Sequence, residues 1–349
     1  MTLVEHVLAR ARGMEPGSFA LVMATGIVSI DVTQHGMPVL GQVLFWLNWL
    51  AYLWLLLISA LRLAFYREEM AAHFATPGHG AAFLTLAAGT CVLGTQCLLV
   101  VHLPLLARVL AVWGAVCWAV LIYLFFFVTM VRHYKAPFSH TINGGWLVVV
   151  VATQSLAVLV ALLARDGTLV TREGLLLIAM CLYLVGCAWY FPIITLVVYR
   201  MVLLPMHARE FTPPYWINMG ALAISTLAGS MVVMNAPAHG PLHDLLPFVK
   251  GFTLFYWATA TWWIPLLVML EVWRLGWSHA PVEYEVDDWD IVFPIGMYTV
   301  GTFALAHATG ERHLLVIPGI GVYVSLLVWA VVAAAMLWRS VHGHRAAAP

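Results

Sequence analysis

Charge is what this chain has least of. Asp, Glu, Lys and Arg make up 9% of its residues, against roughly a quarter in a soluble globular domain. A chain so poor in charge cannot keep most of its surface in water. The formal net charge is zero, which argues against nucleic acid as a partner. CxxC pairs are absent too. Cys91, Cys97, Cys117, Cys181 and Cys187 all fall in apolar segments and read as buried free thiols, neither disulfides nor a zinc site. Met1 to Gly17 holds Glu5, Arg10, Arg12 and Glu15 but no apolar core, so it is not a signal peptide. HExxH, GxSxG, Walker A and GxGxxG motifs in a suitable context are missing. No enzyme class finds its signature here, and no cofactor is expected.

What remains is apolar: 63% of the residues are hydrophobic. The chain reads as an all-α polytopic membrane protein. A span needs about 20 apolar residues, and ten stretches qualify: 18–34, 39–61, 80–101, 105–131, 144–164, 174–204, 215–235, 245–273, 289–309 and 315–338. The connections after spans two, four, six and eight are the longer ones and hold Arg62, Arg67, Arg132, Lys135, Arg200, Arg209 and Arg274. The ends add Arg10, Arg12, Arg339 and Arg345. The positive-inside rule then makes both termini and these loops cytoplasmic. The expected layout is a cytoplasmic segment 1–17, a transmembrane domain 18–338 and a cytoplasmic tail 339–349, in a bacterial inner membrane.

A second alternation concerns small residues. Gly, Ser and Thr are roughly twice as dense in the odd spans as in the even ones, and small residues mark close helix approach or a lined cavity. Odd spans recur every 60 to 75 residues or so, which suggests five copies of a two-helix unit. The simplest arrangement is five hairpins in quasi-five-fold order, with small helices inside around a central pore and long ones facing lipid.

The run from Trp289 to Phe303 is apolar yet poorly built as an ordinary helix. Pro294 removes a backbone donor and clashes with the preceding turn, so a kink is expected. Gly296 and Gly301 remove bulk beside it, and Phe293 sits at the bend. One large ring among small residues suits a narrow pathway that can be plugged. Plain helix packing accounts for the same residues.

Span one runs Gly17, Ser18, Phe19, Ala20, Leu21, Val22, Met23, Ala24, Thr25, Gly26, Ile27, Val28, Ser29. It resembles the opening helix of the tellurite-resistance/C4-dicarboxylate transporter family, which includes yeast malate and sulfite transporters and the slow-type anion channels of plant guard cells. Trp289 with the run Val292 to Tyr298 resembles that family's ninth helix, and the ten-span repeat matches over the whole chain. The resemblance implies a ten-helix protomer with a pore inside five helices, trimeric assembly, and occlusion by the phenylalanine of helix nine, here Phe293 before Pro294. Phe303 is the weaker candidate. Asp290 departs from a simple anion pathway, because a carboxylate there repels the permeant ion unless it is protonated, paired or turned away.

An anion leaving water needs donors in place of its hydration shell. The residues expected on the pore wall are Ser18, Phe19, Thr25, Ser29, Thr85, Gln96, Thr153, Asn218, Ser225, Tyr298 and Thr302. Thr90, Thr95, Gln154, Ser155, Thr226 and Thr299 belong to the same pool. The competing expectation is that many of these hydroxyls bond back to their own helix. Arg62, Lys135 and Arg209 inside, and Lys250 and Arg312 outside, stand near the mouths and would concentrate anions or simply set topology. The partners are small inorganic or organic anions and membrane lipid; chloride, nitrate, sulfite, tellurite and malate all remain open. A proton-coupled dicarboxylate carrier or a sulfite exporter is the alternative, with Asp290 or Asp31 as coupling carboxylate. A membrane-embedded redox enzyme built on the fifteen histidines is a third reading. His239, His243 and Asp244 make a weak loop metal candidate, and no metal is expected.

Overall fold

A computed structural model describes residues 3–76, 78–133, 135–165, 171–277 and 284–342. Arg345 and the tail beyond His342 lie outside the described residues, as do Met1 and Thr2 of the N-terminal segment. Among the described residues the regular structure is helical throughout.

Ten helices are long and apolar enough to cross a bilayer. We number them α1 (Ala20–Gln34), α2 (Pro38–Phe65), α3 (Thr85–Leu99), α4 (Pro104–Val131), α5 (Val148–Leu163), α6 (Arg172–Leu203), α7 (Ile217–Asn235), α8 (Leu246–Val272), α9 (Trp289–Thr309) and α10 (Val316–His342). An even number of crossings returns the chain to its starting side. We call that side the terminal face and the other the opposite face.

The odd helices start alike, and α10 shares their start through Arg312–Leu315. Each odd helix is entered through a 3₁₀ turn: Pro16–Phe19, Gly80–Leu84, Gly144–Leu147, Pro213–Trp216 and Val286–Asp288. Proline instead opens α2 (Pro38) and α4 (Pro104), where its missing N–H costs nothing. Burial divides the odd helices from the even ones. In the apolar stretch of each odd helix 72–94% of residues are buried, against 17–39% in the even helices. The even helices show lipid an apolar stripe, such as Trp46, Leu50, Leu53 and Leu57 on α2. In water such a stripe would aggregate; in hydrocarbon it is at home. A 28-residue helix such as α2 is about 42 Å long, more than a roughly 30 Å hydrocarbon layer requires, so tilt accommodates it.

The odd helices pack in a closed cycle, α1 on α3, α3 on α5, α5 on α7, α7 on α9 and α9 back on α1. Their 3₁₀ turns touch in the same order. Each even helix packs on the odd helix before it and reaches the odd helix after it. Side chains mark that second contact in every unit. Asn48 Nδ2 donates to Gln96 Oε1 (2.8 Å), Trp118 Nε1 to Thr153 Oγ1 (2.9 Å) and Tyr190 Oη to the Asn218 carbonyl (3.3 Å). Trp257 Nε1 donates to Thr302 Oγ1 (3.0 Å), and Trp329 Nε1 to Thr25 Oγ1 (3.1 Å), which joins α10 to α1 and closes the round. Lipid gives helices no hydrophobic reason to associate, so packing and bonds of this kind must do it, at about 0.6 kcal/mol per hydrogen bond.

Threonine suits this joint. Thr153 and Thr302 donate their protons to Val149 and Tyr298 carbonyls of their own helices (2.8 and 2.6 Å), which leaves a lone pair for the tryptophan. One expectation needs correcting: Cys181 is exposed, on the lipid side of α6, while the other four cysteines are buried.

Candidate functional site

The five inner helices enclose a cavity. Its wall takes Ile27, Ile30 and Gln34 from α1, Val92, Thr95 and Leu99 from α3, and Ser155, Val158 and Leu162 from α5. Ile224, Leu227 and Met231 come from α7, and Met297 and Val300 from α9. The register is i, i+3, i+7 on four helices and i, i+3 on the fifth, a single face of each. The cavity therefore runs from mid-helix to the ends at the opposite face. The room inside is about 20 Å³, enough for roughly one water. A hydrated anion does not fit.

The wall is almost wholly apolar. Thr95 and Ser155 bring hydroxyls, but these donate to the Cys91 and Val151 carbonyls of their own helices (3.0 and 2.8 Å). A hydroxyl so engaged has no proton left for an anion. Gln34 Oε1 is buried at the opposite-face end without a hydrogen-bond partner among the described residues.

Phe293 lies one turn toward the terminal face on the same stripe of α9, since 293, 297 and 300 follow i, i+4, i+7. Its ring is 1% exposed. Stepping back four residues on the other inner helices reaches Met23, Ala88, Val151 and Gly220, all buried. Gly220 meets Pro294 directly: a Cβ there would stand 2.7 Å from Pro294 Cγ. A Cβ on Gly301 would likewise meet the Ala223 carbonyl at 2.8 Å. Glycine lets α7 and α9 close on each other around the ring. The helix continues through Pro294.

The polar residues named from the sequence stand elsewhere. Thr25, Gln96, Thr153 and Thr302 face outer helices through the bonds above. Ser29 donates to the Gly41 carbonyl of α2 (2.7 Å), and Tyr298 Oη pairs with Thr261 of α8 (2.8 Å). The Phe19 ring meets Tyr52 of α2 edge-on at 6.0 Å. Asn218 Nδ2 lies 3.9 Å from Met201 Sδ of α6. Ser225 bonds back to Ala221 (2.7 Å), Thr85 to Ala82 (2.7 Å) and Ser18 to Glu15 (2.7 Å). None of these eleven residues is on the cavity wall. The wall residues that composition passed over are ordinary Ile, Val, Leu and Met. Their signal is the register shared by five repeats, visible once the repeats are laid over one another.

Asp31 is fully buried and looks toward α10. Its Oδ2 accepts from Ser325 Oγ (2.6 Å), and His35 Nδ1 is 3.2 Å from its Oδ1. Phe303 packs its ring against His35 at 5.5 Å. Asp290 is 8% exposed in the first turn of α9, just after Asp287 and Asp288, and none of the described residues forms an ion pair with it. Three cations at the terminal face, Arg62, Lys135 and Arg200, are engaged. Arg62 Nη1 donates to the Met14 carbonyl, Lys135 Nζ to the Met130 carbonyl (3.2 Å) and Arg200 Nε to the Ser139 carbonyl (2.6 Å). Glu271 and Arg274 pair, Nε to Oε1 at 2.9 Å. Among the described residues no three His, Cys, Asp or Glu side chains converge on a metal position.

Residues 13–337 match a family described as SLAC1, voltage-dependent anion channel. The chain belongs to this family. The resemblance read from span one and the Phe293–Pro294 run thus holds over nearly the whole length. An uncharacterised transporter of Methanocaldococcus jannaschii is 25% identical over 94% of this chain and 93% of its own. A sulfite efflux pump of Arthroderma otae is 24% identical over 93% of this chain and 90% of its own. An uncharacterised membrane protein of Mycobacterium tuberculosis is 39% identical over 42% of this chain and 75% of its own. The relatives that align over nearly the whole chain are named as a transporter and an efflux pump. This family member is a membrane protein of anion transport.

Proposed function

We propose that anions pass along the axis enclosed by α1, α3, α5, α7 and α9, arranged in quasi-five-fold order, and that the Phe293 ring occludes the path. One observation carries the reading: Phe293 shares a helix stripe with Met297 and Val300, which stand on the cavity wall. The ring thus caps an apolar passage with room for one water. An apolar wall binds ions weakly, which suits rapid passage once the cap is removed. The protein acts as a trimer with a path in each subunit, in a bacterial inner membrane with the terminal face in the cytoplasm. The family resemblance supports the trimer, and the arginines of the terminal-face loops support the orientation.

Planar bilayers containing the purified protein test this. Phe293→Ala should carry a chloride or nitrate current at least about tenfold above wild type, since deleting a buried ring leaves a cavity. No current from a folded variant would overturn the occlusion.

A second reading, export of sulfite by a carrier, draws on the sulfite efflux pump that aligns over nearly the whole chain. In that reading Asp31, paired with His35, or Asp290 couples flux to protons. Uptake that ignores a pH gradient and survives Asp31→Asn and Asp290→Asn would remove it.

A further inference from the structure

A second cavity of about 350 Å³ opens at the opposite face, lined by Leu98, Leu99, His102, Pro104, Leu162 and Arg165. Leu99 and Leu162 also stand on the wall of the axial cavity, so the two spaces share a partition. Where the axis holds about one water, this vestibule holds roughly ten.

Its polar groups are one guanidinium and one imidazole. Arg165 Nε donates to Oδ1 of Asn235, a residue only 1% exposed. Asn235 is itself held: its Nδ2 donates to the Met231 carbonyl (2.7 Å), and Arg172 Nη2 donates to its own carbonyl (3.0 Å). The guanidinium is thus aimed by a buried amide, while Nη1 and Nη2 bond to none of the described residues. None of those residues forms an ion pair with Arg165. A fork of free N–H donors matches a small oxyanion in bidentate fashion.

His102 adds an independent observation. It stands in the α3–α4 connection in the left-handed conformation at φ 57°, the one non-glycine residue among those described to do so. Glycine takes that conformation freely, whereas a side chain there costs about 1 kcal/mol. Its Nδ1 must donate to the Leu98 carbonyl (2.9 Å), because a carbonyl only accepts. Nε2 is then the free nitrogen, an acceptor in the neutral ring and a donor once the ring is charged. The other charged or titratable groups at this end of the packed elements are Arg108 of α4, Arg165 of α5, Arg172 and Glu173 at the start of α6, and the Asp31–His35 pair of α1, which is turned toward Ser325.

We propose that Arg165 and His102 form an anion-recruiting site, which takes up a small oxyanion at the opposite face beside the axial path. The site rests on the anion-transport reading above, and its test does not need transport. Nitrate, compared with chloride at equal ionic strength, is the probe, and thermal unfolding of the whole purified protein in detergent is the readout. Nitrate should raise the wild-type midpoint more than chloride does. Arg165→Gln should weaken the apparent nitrate affinity about tenfold, the loss of a charge-assisted hydrogen bond. Arg165→Lys keeps the charge without the fork and should lose the preference for nitrate over chloride. Lower pH should strengthen nitrate binding in wild type but not in His102→Gly, because only the charged ring offers its Nε2–H to an anion. Without anion, His102→Gly should unfold no lower than wild type, because glycine relieves the left-handed residue. Equal nitrate shifts in wild type and both Arg165 variants, or the full acid increment in His102→Gly, would overturn the site. A nitrate shift lost in Arg165→Gln while Phe293→Ala carries no current would keep the site and sink the occluded path. Current in Phe293→Ala with unaltered nitrate binding in Arg165→Gln would do the reverse.

Discussion

On α3, Thr90 and Gln96 reach outward to Tyr52 and Asn48 of α2, while Val92 and Leu99 stand on the axial cavity. The same division runs through α9, where Tyr298 and Thr302 meet α8 but Met297 and Val300 line the cavity. An inner helix is therefore polar toward its outer neighbours and apolar toward the axis, the reverse of what a water-filled channel would show. The reason is the solvent. In a bilayer a polar side chain gains most where a partner on another helix replaces water, so it is used to join helices. An axis closed to water needs no such groups.

Removing the ring on the apolar side should have the largest effect: the Phe293→Ala current predicted above. Overfilling the α7–α9 contact at the same level works in the opposite direction. Gly220→Val, pressed against Pro294, should cost about 1–3 kcal/mol of stability, read as a lowered unfolding midpoint in detergent.

The outward-facing side answers to a different test. Asn48→Leu strands Gln96 Oε1 in the interior and should cost about 1–3 kcal/mol. The double variant Asn48→Leu with Gln96→Leu should recover most of that, since two apolar groups leave nothing unpaired. Currents measured with Phe293→Ala in the background should be unaltered by either change. A shift in anion selectivity would mean that Gln96 faces the path after all.

Smaller still is the loss of one stitch. Trp257→Phe removes the bond to Thr302 and should lower stability by about 0.6 kcal/mol. The smallest effect belongs to a hydroxyl on the axis. Thr95→Val in the Phe293→Ala background should alter chloride current less than about twofold, because the Thr95 proton already belongs to its own helix. A large effect there would show that wall hydroxyls coordinate the ion and would erase the contrast between the two sides.

Ten spans, their order and the odd–even difference in small residues were all legible in the chain. Bilayer thickness sets a length that only long apolar runs satisfy, and close packing demands residues such as Gly220 and Gly301. The crowding of Pro294 and Gly301 against α7 was foreshadowed by the Pro and Gly residues beside Phe293. Arg165 was not: nothing in its neighbourhood in the chain sets it apart from other loop arginines.

By itself, then, the sequence determined which helices lie inside and which face lipid, because burial in a membrane is settled by bulk and hydropathy summed over a whole helix. Only the tertiary structure decided which face of each inner helix looks at the axis. A rotation of about 100° per residue separates Thr95 from Gln96, and composition does not register it. Only the tertiary structure brought Arg165, His102 and the buried Asn235 to the opposite-face end of α3, α5 and α7. They are far apart in the chain and meet because the inner helices close into a cycle.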